Sequence, residues 1–268
     1  MTTRSSGTGR LRTGGRRCWG FTLVELAVAV FLISLLLGAL AMPLQMRVEA
    51  RKVEQTEQLL RTLRDALTGY AAANGYLPCP ADDSSTGREP AASNHETGYC
   101  PSYFGFLPAA ALGIATQDVR GYAADAWAGA GNRIRYAVAP YAIGSIGNAL
   151  TRVNGMRSAG FAHLSDPALS LFHVCDSGSG VSAGSTCGKA ITLVSTAPAV
   201  IWSSGPNEAS GGSSVHEAQN PNVNGGSADR PFVSRVRSNV SGNEFDDIVT
   251  WIPMSMLLAR MLAAGQLP

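Results

Sequence analysis

The sequence predicts an α+β protein in which a long N-terminal helix packs on a mainly antiparallel β-sheet and a short helix ends the chain. From Phe21 to Ala73 the sequence is apolar and then rich in helix-forming residues, without a turn signal. Several short segments in the C-terminal two thirds have strand composition, and Pro253 to Ala264 has a helical pattern. With 45% hydrophobic and 15% charged residues, the composition is that of a globular protein.

Residues 1–20 form a basic leader. They contain five arginines (Arg4, Arg10, Arg12, Arg16 and Arg17) and no acid, which leaves 16 basic and 19 acidic residues, a net charge of −3, in the rest of the chain. A nucleic-acid-binding domain usually concentrates positive charge on its folded part. The charge distribution therefore predicts no direct binding of nucleic acid.

Residues 21–46 are predicted to form the transmembrane half of the N-terminal helix. Glu25 is the only charged residue among them. A helix of this length spans roughly 39 Å, more than the roughly 30 Å of a bilayer's hydrocarbon core. The preceding arginines predict a cytoplasmic N-terminus and an external C-terminal domain. A secretory signal peptide fits less well, because its apolar core has only about 7–15 residues.

Residues 47–74 are predicted to continue this helix as an amphipathic segment. Leu60, Leu63, Leu67 and Tyr70 recur at helical spacing and define one apolar stripe. Pro43 is expected to kink the helix, because it lacks a backbone donor. Asn74 and Gly75 are typical of a helix end.

Residues 75–268 are predicted to form a globular domain. We expect loops over 78–103 and an exposed loop over Ser204–Asp229, which is rich in glycine, serine and asparagine. Ala197-Pro198 lies between the second and third of four strands, which allows a hairpin there. The four predicted strands are Arg133–Ala139, Ala190–Ser195, Ala199–Ser203 and Asp247–Ile252.

Four of the five cysteines follow the leader, and an even number in an exported domain suggests two disulfides. Of the three possible pairings, sequence proximity and loop-closure entropy favour Cys79–Cys100 and Cys175–Cys187. Each would contribute about 3 kcal/mol on the chain-entropy model. Buried free thiols are the alternative. No C-x-x-C spacing or histidine cluster indicates a zinc site.

The sequence Gly20-Phe21-Thr22-Leu23-Val24-Glu25 opens the apolar segment directly after the basic leader. This arrangement resembles the type IV pilin superfamily, which includes major and minor pilins and the pseudopilins of type II secretion. The resemblance implies that a prepilin peptidase cuts after Gly20 and that the new amine of Phe21 is methylated. It also implies that the apolar helices bundle into a filament above an inner-membrane assembly platform.

Glu25 is the residue through which we expect charge to set subunit register. A carboxylate in the bilayer costs at least about 2.5 kcal/mol near the centre, so it usually has a partner. Cleavage creates a positive amine at Phe21, which remains positive after methylation. In a filament this amine can pair with Glu25 of a neighbouring subunit. A misplaced subunit would leave both charges unpaired in apolar surroundings, so the pair would set the axial register of the subunits.

The sequence therefore predicts a structural minor pilin or pseudopilin with a priming, tip or adhesive role. About 190 residues follow Gly75, a large domain that favours a minor subunit. Its partners would be the prepilin peptidase, other pilins or pseudopilins and the assembly platform. It would sit in the bacterial inner membrane with its domain in the periplasm, or at the cell surface in a pilus. The alternative is a periplasmic receptor or enzyme held by an uncleaved anchor.

Four residues near the last strand allow two interpretations. Asn243, Glu244, Asp246 and Asp247 offer hard oxygen ligands of the kind that bind Ca²⁺, as in the C-terminal loop of some pseudopilins. They also suit an acidic turn that leads into a strand. No other cofactor is expected. The four histidines show no catalytic or metal-binding pattern, so the sequence predicts no enzyme activity.

Overall fold

The computed structural model divides the chain into two compact units, residues 1–49 and 50–268. Within residues 38–44 only the backbone helix is described, not the side chains. The described residues are 20, 22–114, 118–127, 132–144, 147–169, 171–181, 186–207, 214–221 and 231–267.

Helix α1 covers Leu23–Asn74, one or two residues from the predicted bounds. It ends where Gly75 adopts a φ of 82° and donates its backbone N–H to Ala71 O at 2.8 Å. This left-handed residue is the usual glycine stop of a helix. In the second unit, the predicted stripe of Leu60, Leu63 and Leu67 is fully buried. These three leucines of the predicted stripe therefore face the core of the second unit, and Tyr70 is half-buried.

In the part of the chain that the structure describes, seven strands and three further α-helices follow α1. The helices are α2 (Gly155–Ala159), α3 (Phe161–Leu164) and α4 (Met254–Ala263). The strands are β1 (Phe104–Phe106), β2 (Arg135–Val138), β3 (Phe172–Cys175), β4 (Thr192–Ala197), β5 (Ala199–Ser203), β6 (Pro231–Val233) and β7 (Ile248–Ile252).

The strands form two sheets. The first has the order β1-β2-β5-β7 and is antiparallel throughout. The second has the order β4-β3-β6, with β3 antiparallel to β4 and parallel to β6. The mainly antiparallel α+β prediction is confirmed, and the predicted strands correspond to β2, β4, β5 and β7.

The hairpin that Ala197-Pro198 would allow does not form, because β4 and β5 belong to different sheets. Pro198 alone separates them. The shortest common hairpin loop has two residues, so one proline cannot reverse the chain. Instead the chain crosses from one sheet to the other at this residue, and Pro198 O accepts the N–H of Ala139 beside the end of β2 at 2.9 Å.

One hydrophobic core joins both sheets to the second half of α1 and to α4. Four aromatic rings lie where the sheets meet. Phe232 of β6 lies 5.1 Å from Trp202 of β5 and 5.1 Å from Phe172 of β3, between ring centroids. Phe104 of β1 lies 5.5 Å from Phe172. These edge-on and tilted contacts favour a single packed arrangement of the two sheets.

The prediction that Ser204–Asp229 is an exposed loop is wrong for several residues that the structure describes. Ser204, Ser214, His216, Glu217 and Asn220 are buried. Asn220 shows how a polar side chain is accommodated here. Its amide group donates to Val233 O and to Asp247, and its Oδ1 accepts the N–H of Val233. Polar residues enter a core when their hydrogen bonds are satisfied there. Residues 208–213 and 222–229 of this segment lie outside the described part.

Candidate functional site

The first turn of α1 forms a capping box between Thr22 and Glu25. Thr22 Oγ1 accepts the backbone N–H of Glu25 at 3.2 Å, and Glu25 Oε2 accepts the N–H of Thr22 at 3.4 Å. The Thr22 hydroxyl also lies 3.5 Å from this carboxylate oxygen. Two N–H groups that a helix start leaves unpaired are thereby satisfied. The carboxylate sits at the positive end of the helix dipole.

The helix surface after this turn is apolar and exposed. Every described side chain of residues 22–37 is exposed, and several are large and hydrophobic, such as Leu23, Phe31 and Leu37. Ser34 is a polar exception, and its hydroxyl donates to Val30 O at 2.7 Å within the helix. A polar group satisfied by its own backbone needs no water. This surface therefore suits apolar surroundings.

The predicted cleavage site is described on one side only. Gly20 is exposed, and no described atom other than those of its chain neighbours lies within 4 Å of the position that a Cβ would occupy. Phe21 lies outside the described residues. Helix α1 continues through residue 43, but the Pro43 side chain is not described, so its kink stays a prediction.

Two disulfides join the cysteine pairs that the sequence favours, Cys79–Cys100 and Cys175–Cys187. The first closes a loop between the end of α1 and β1. The second joins the end of β3 to the segment before β4. Because all four cysteines are at most 2% exposed, the bonds are shielded from solvent.

A histidine–glutamate pair lies against the first disulfide. His95 Nε2 and Glu89 Oε2 are 2.7 Å apart, and His95 Nδ1 lies 2.7 Å from Thr151 O. The N–H of Cys79 donates to Glu89 Oε2 at 2.8 Å. Burial lowers the pKa of His95, but its hydrogen bonds to Glu89 and Thr151 and the charge of Glu89 outweigh this effect, so the pKa is raised overall.

The four residues considered for calcium are held mainly by protein contacts. Asn243 Oδ1 accepts from His216 Nε2 at 2.6 Å, and the N–H of Asp246 donates to Glu217 Oε1 at 2.9 Å. Asn220 donates to Asp247 Oδ2 at 2.7 Å. Among the described residues, these acids do not bring three ligand atoms within 4.8 Å of one another. Calcium binding stays a prediction.

Asp247 has the most perturbed environment of these four. Burial raises the pKa of its carboxyl group well above the ordinary value. The hydrogen bond from Asn220 and the charge of Arg135 lower the pKa, whereas the charges of Glu217 and Asp246 raise it. The Oε2 atoms of Glu217 and Glu244 are buried without a hydrogen-bond partner among the described residues. This side of the domain is therefore a buried acidic region.

The N-terminal segment also matches a known family. The family model of the prokaryotic N-terminal methylation motif covers residues 16–41. The chain carries this methylation motif. The motif is the signature of type IV pilins and pseudopilins. Comparisons with curated proteins and with solved structures gave no match.

The methylation motif contains Gly20, Phe21 and Glu25, the residues on which the pilin resemblance rests. It implies processing by prepilin peptidase and assembly with other pilins. It covers about a tenth of the chain, so it describes the N-terminal segment alone.

No helix in the described part of the chain is long and apolar enough to cross a membrane. The predicted span of residues 21–46 includes Phe21 and residues 38–44, whose side chains lie outside the described set. The membrane span stays a prediction.

Sequence reasoning missed two features. Thr22 and Glu25 of the methylation motif fit the Ser/Thr-x-x-Glu pattern of a capping box, which the sequence itself displays. The contact of His95 and Glu89 with Cys79 had no sequence signal. Their spacing matches no known ligand pattern, and the fold alone brings them together.

Proposed function

We propose that the chain is a minor pilin or pseudopilin that is cut after Gly20, methylated at Phe21 and assembled into a filament through residues 21–46. One observation carries this proposal. The methylation motif opens a helix whose exposed surface over residues 22–37 is apolar and whose only charged side chain there is Glu25. Such a surface gains free energy by leaving water for lipid or for other helices.

The capping box suggests how Glu25 serves two states. In the single subunit, Thr22 and the helix start stabilise the carboxylate. In the filament, the methylated ammonium of Phe21 on a neighbouring subunit replaces this contact. An ion pair in apolar surroundings is stronger than one in water, because the effective dielectric constant is lower. This ion pair would set the axial register of neighbouring subunits, since only one axial offset brings the two charges together.

The size of the second unit supports a minor rather than a major role. Residues 50–268 contain two sheets and two disulfides. Major subunits are usually compact so that many copies pack side by side. A priming or tip subunit meets no such restriction, and it can present its large domain at the filament end.

The arginines of the leader support the proposed topology. Five positive charges precede the apolar segment and keep the N-terminus in the cytoplasm, where the peptidase would act. The second unit then lies in the periplasm or on the cell surface. The two disulfides suit such an oxidising compartment.

Intact mass and N-terminal sequencing of the membrane-bound protein test this proposal. Cells with an active prepilin peptidase should yield a chain that begins at methylated Phe21, and cells without it should yield the full chain. Gly20→Val should block processing because the peptidase approaches this backbone closely, whereas Gly15→Val should not. A chain that keeps the leader beside an active peptidase would instead indicate a receptor or enzyme on an uncleaved anchor.

A further inference from the structure

Three metal-ligand side chains meet at the first disulfide, and the sulfur of Cys100 is bonded to one of them. Donor atoms of Cys79, Glu89 and His95 all lie within 4.8 Å of one another, and among the described residues they are the one group of three or more His, Cys, Asp or Glu donors to do so. Cys100 is not a member of this close group, but its sulfur is bonded to that of Cys79. The group therefore supplies one sulfur, one imidazole and one carboxylate, and the disulfide partner supplies a second sulfur beside it.

Contacts around His95 hold its ring in a ligand orientation. Nδ1 lies 2.7 Å from Thr151 O, which can only accept, so Nδ1 carries a hydrogen and Nε2 faces Glu89. The ring packs on Tyr76 with centroids 4.3 Å apart. Metal-binding histidines usually donate their second ring nitrogen to a carbonyl or carboxylate in this manner.

Glu89 is fixed by the same group of contacts. Its Oε2 accepts the N–H of Cys79 at 2.8 Å, and its Oε1 lies 3.4 Å from the Tyr70 hydroxyl. The side chains of Glu89 and His95 remain 16% and 19% exposed, which leaves a path for an ion, while both sulfurs are buried. Orienting contacts and an entry path are two requirements of a metal site.

We propose that the reduced form of this loop binds one Zn²⁺ through the thiolates of Cys79 and Cys100, His95 Nε2 and the Glu89 carboxylate. Zinc prefers four ligands of these types in a tetrahedral arrangement. In the oxidised form the two sulfurs are bonded to each other and are not thiolate ligands. The disulfide and the zinc ion are thus alternative ways of closing the same loop.

The chemistry of the exchange balances. A phosphine reductant and one water convert the disulfide into two thiols, and the phosphine becomes a phosphine oxide. Zinc binding then displaces the protons of both thiols and the proton of His95 Nε2, which is needed while that nitrogen faces the Glu89 carboxylate. No change in the oxidation state of zinc is involved.

The second disulfide is an internal control. Among the described residues, Cys175 and Cys187 belong to no group of three or more such donors. Reduction of this bond should free two thiols without creating a site. When both disulfides are reduced, only the opening of the first should lead to metal binding.

Metal analysis of the full chain in detergent tests the proposal. After reduction with a phosphine, addition of Zn²⁺ and gel filtration, we expect one zinc per chain, and none in the oxidised chain. X-ray absorption of the reduced, unaltered chain should give two sulfur and two nitrogen or oxygen neighbours. Absence of metal, or a shell without sulfur, would overturn the proposal without the need for a variant.

Matched variants identify the ligands. The double substitution Cys175→Ser and Cys187→Ser should keep the zinc, whereas Cys79→Ser with Cys100→Ser should lose it. His95→Ala should weaken binding by about tenfold or more. His163→Ala, at an exposed histidine elsewhere, should have no effect. Zinc held equally well by the Cys79/Cys100 variant would also contradict the assignment.

Discussion

Asp247 is a carboxyl group that the fold holds away from water and beside other acids. It is 6% exposed, and the charges of Glu217 and Asp246 act on it. It accepts a hydrogen bond from Asn220, which belongs to the segment that enters the core after β5. The charged form of Asp247 is thus unfavourable, while its hydrogen bond is favourable.

Replacing Asp247 by asparagine should separate these two effects. The pKa of Asp247 is raised in the folded chain, so its contribution to stability is present below the ordinary pKa of aspartate and is lost as pH rises through the raised value. Asp247→Asn keeps an acceptor for Asn220 and removes the charge. It should be more stable than the unaltered chain at about pH 8 and lose this advantage near about pH 3.

Chemical denaturation at both pH values provides the measurement. Glu96→Gln, at an exposed acid, is the matched control and should show no such pH-dependent gain. A loss of stability in Asp247→Asn at the higher pH would show that a charged carboxylate is required there, as a bound cation would require.

At Glu25, two substitutions distinguish charge pairing from helix capping. Glutamine can replace glutamate in a capping box but carries no charge, whereas alanine loses both functions. If charge sets register, both Glu25→Gln and Glu25→Ala should be inserted and cleaved yet fail to enter filaments. The measurement is the amount of each variant in sheared filaments relative to the membrane fraction.

Thr22→Ala is the control for this pair, because it removes the cap and leaves the charge. Loss of a threonine cap costs roughly 1 kcal/mol of helix stability. This variant should therefore still enter filaments. Normal assembly of Glu25→Gln would mean that capping, and not charge, is what Glu25 provides.

At the scale of single elements, predictability from the sequence follows length and local pattern. The bounds of α1, α4 and the strands β2, β4, β5 and β7 were predicted to within two residues, because each lies in a periodic or apolar segment of the sequence. Strands β1, β3 and β6 were missed. They have only three or four residues, and pairing with distant strands creates them.

The features of the candidate site also differ in how well the sequence predicts them. Both disulfides and the methylation motif could be predicted, because neighbouring cysteines close short loops and the motif is contiguous. The contact of His95 with Cys79 could not, since it depends on how the loop between them folds. Burial of Glu217 was also unexpected, because a polar composition indicates exposure unless the partners are known.

Two glycines allow a test of how closely the segment after β5 is packed. Gly205 has a φ of 64°, and a Cβ there would lie 2.7 Å from Asp246 O. Gly113 has a similar φ of 68°, and nothing lies within 4 Å of its Cβ position. Gly113→Ala should cost about 1 kcal/mol through backbone strain alone, and Gly205→Ala should cost more because it adds a clash. Thermal or denaturant unfolding measures both, and equal losses would contradict the close packing.

At the scale of the whole molecule, the two units have different surfaces. Residues 50–268 have a continuous core with most large apolar side chains inside, whereas the described side chains of residues 22–37 are exposed and mostly apolar. Burial of apolar surface stabilises a fold by roughly 25 cal/mol per Å². Only residues 50–268 bury most of their described large apolar side chains within a single chain.

A chain that begins at residue 50 should therefore stay monomeric without detergent and form both disulfides. A chain that begins at residue 21 should require detergent or associate. Size-exclusion chromatography with light scattering compares them, and thiol titration counts the free cysteines. Aggregation of the shorter chain would show that residues 21–49 are needed for folding of the domain.

Pro198 has a mechanical consequence for a subunit under load. A single residue separates β4 from β5, so the two sheets share a tether without slack. A pull on one sheet passes directly along the backbone to the other, and the second sheet cannot swing outward as a hinged flap. If the chain ends a filament as proposed, this domain would resist force as one body until its core unfolded.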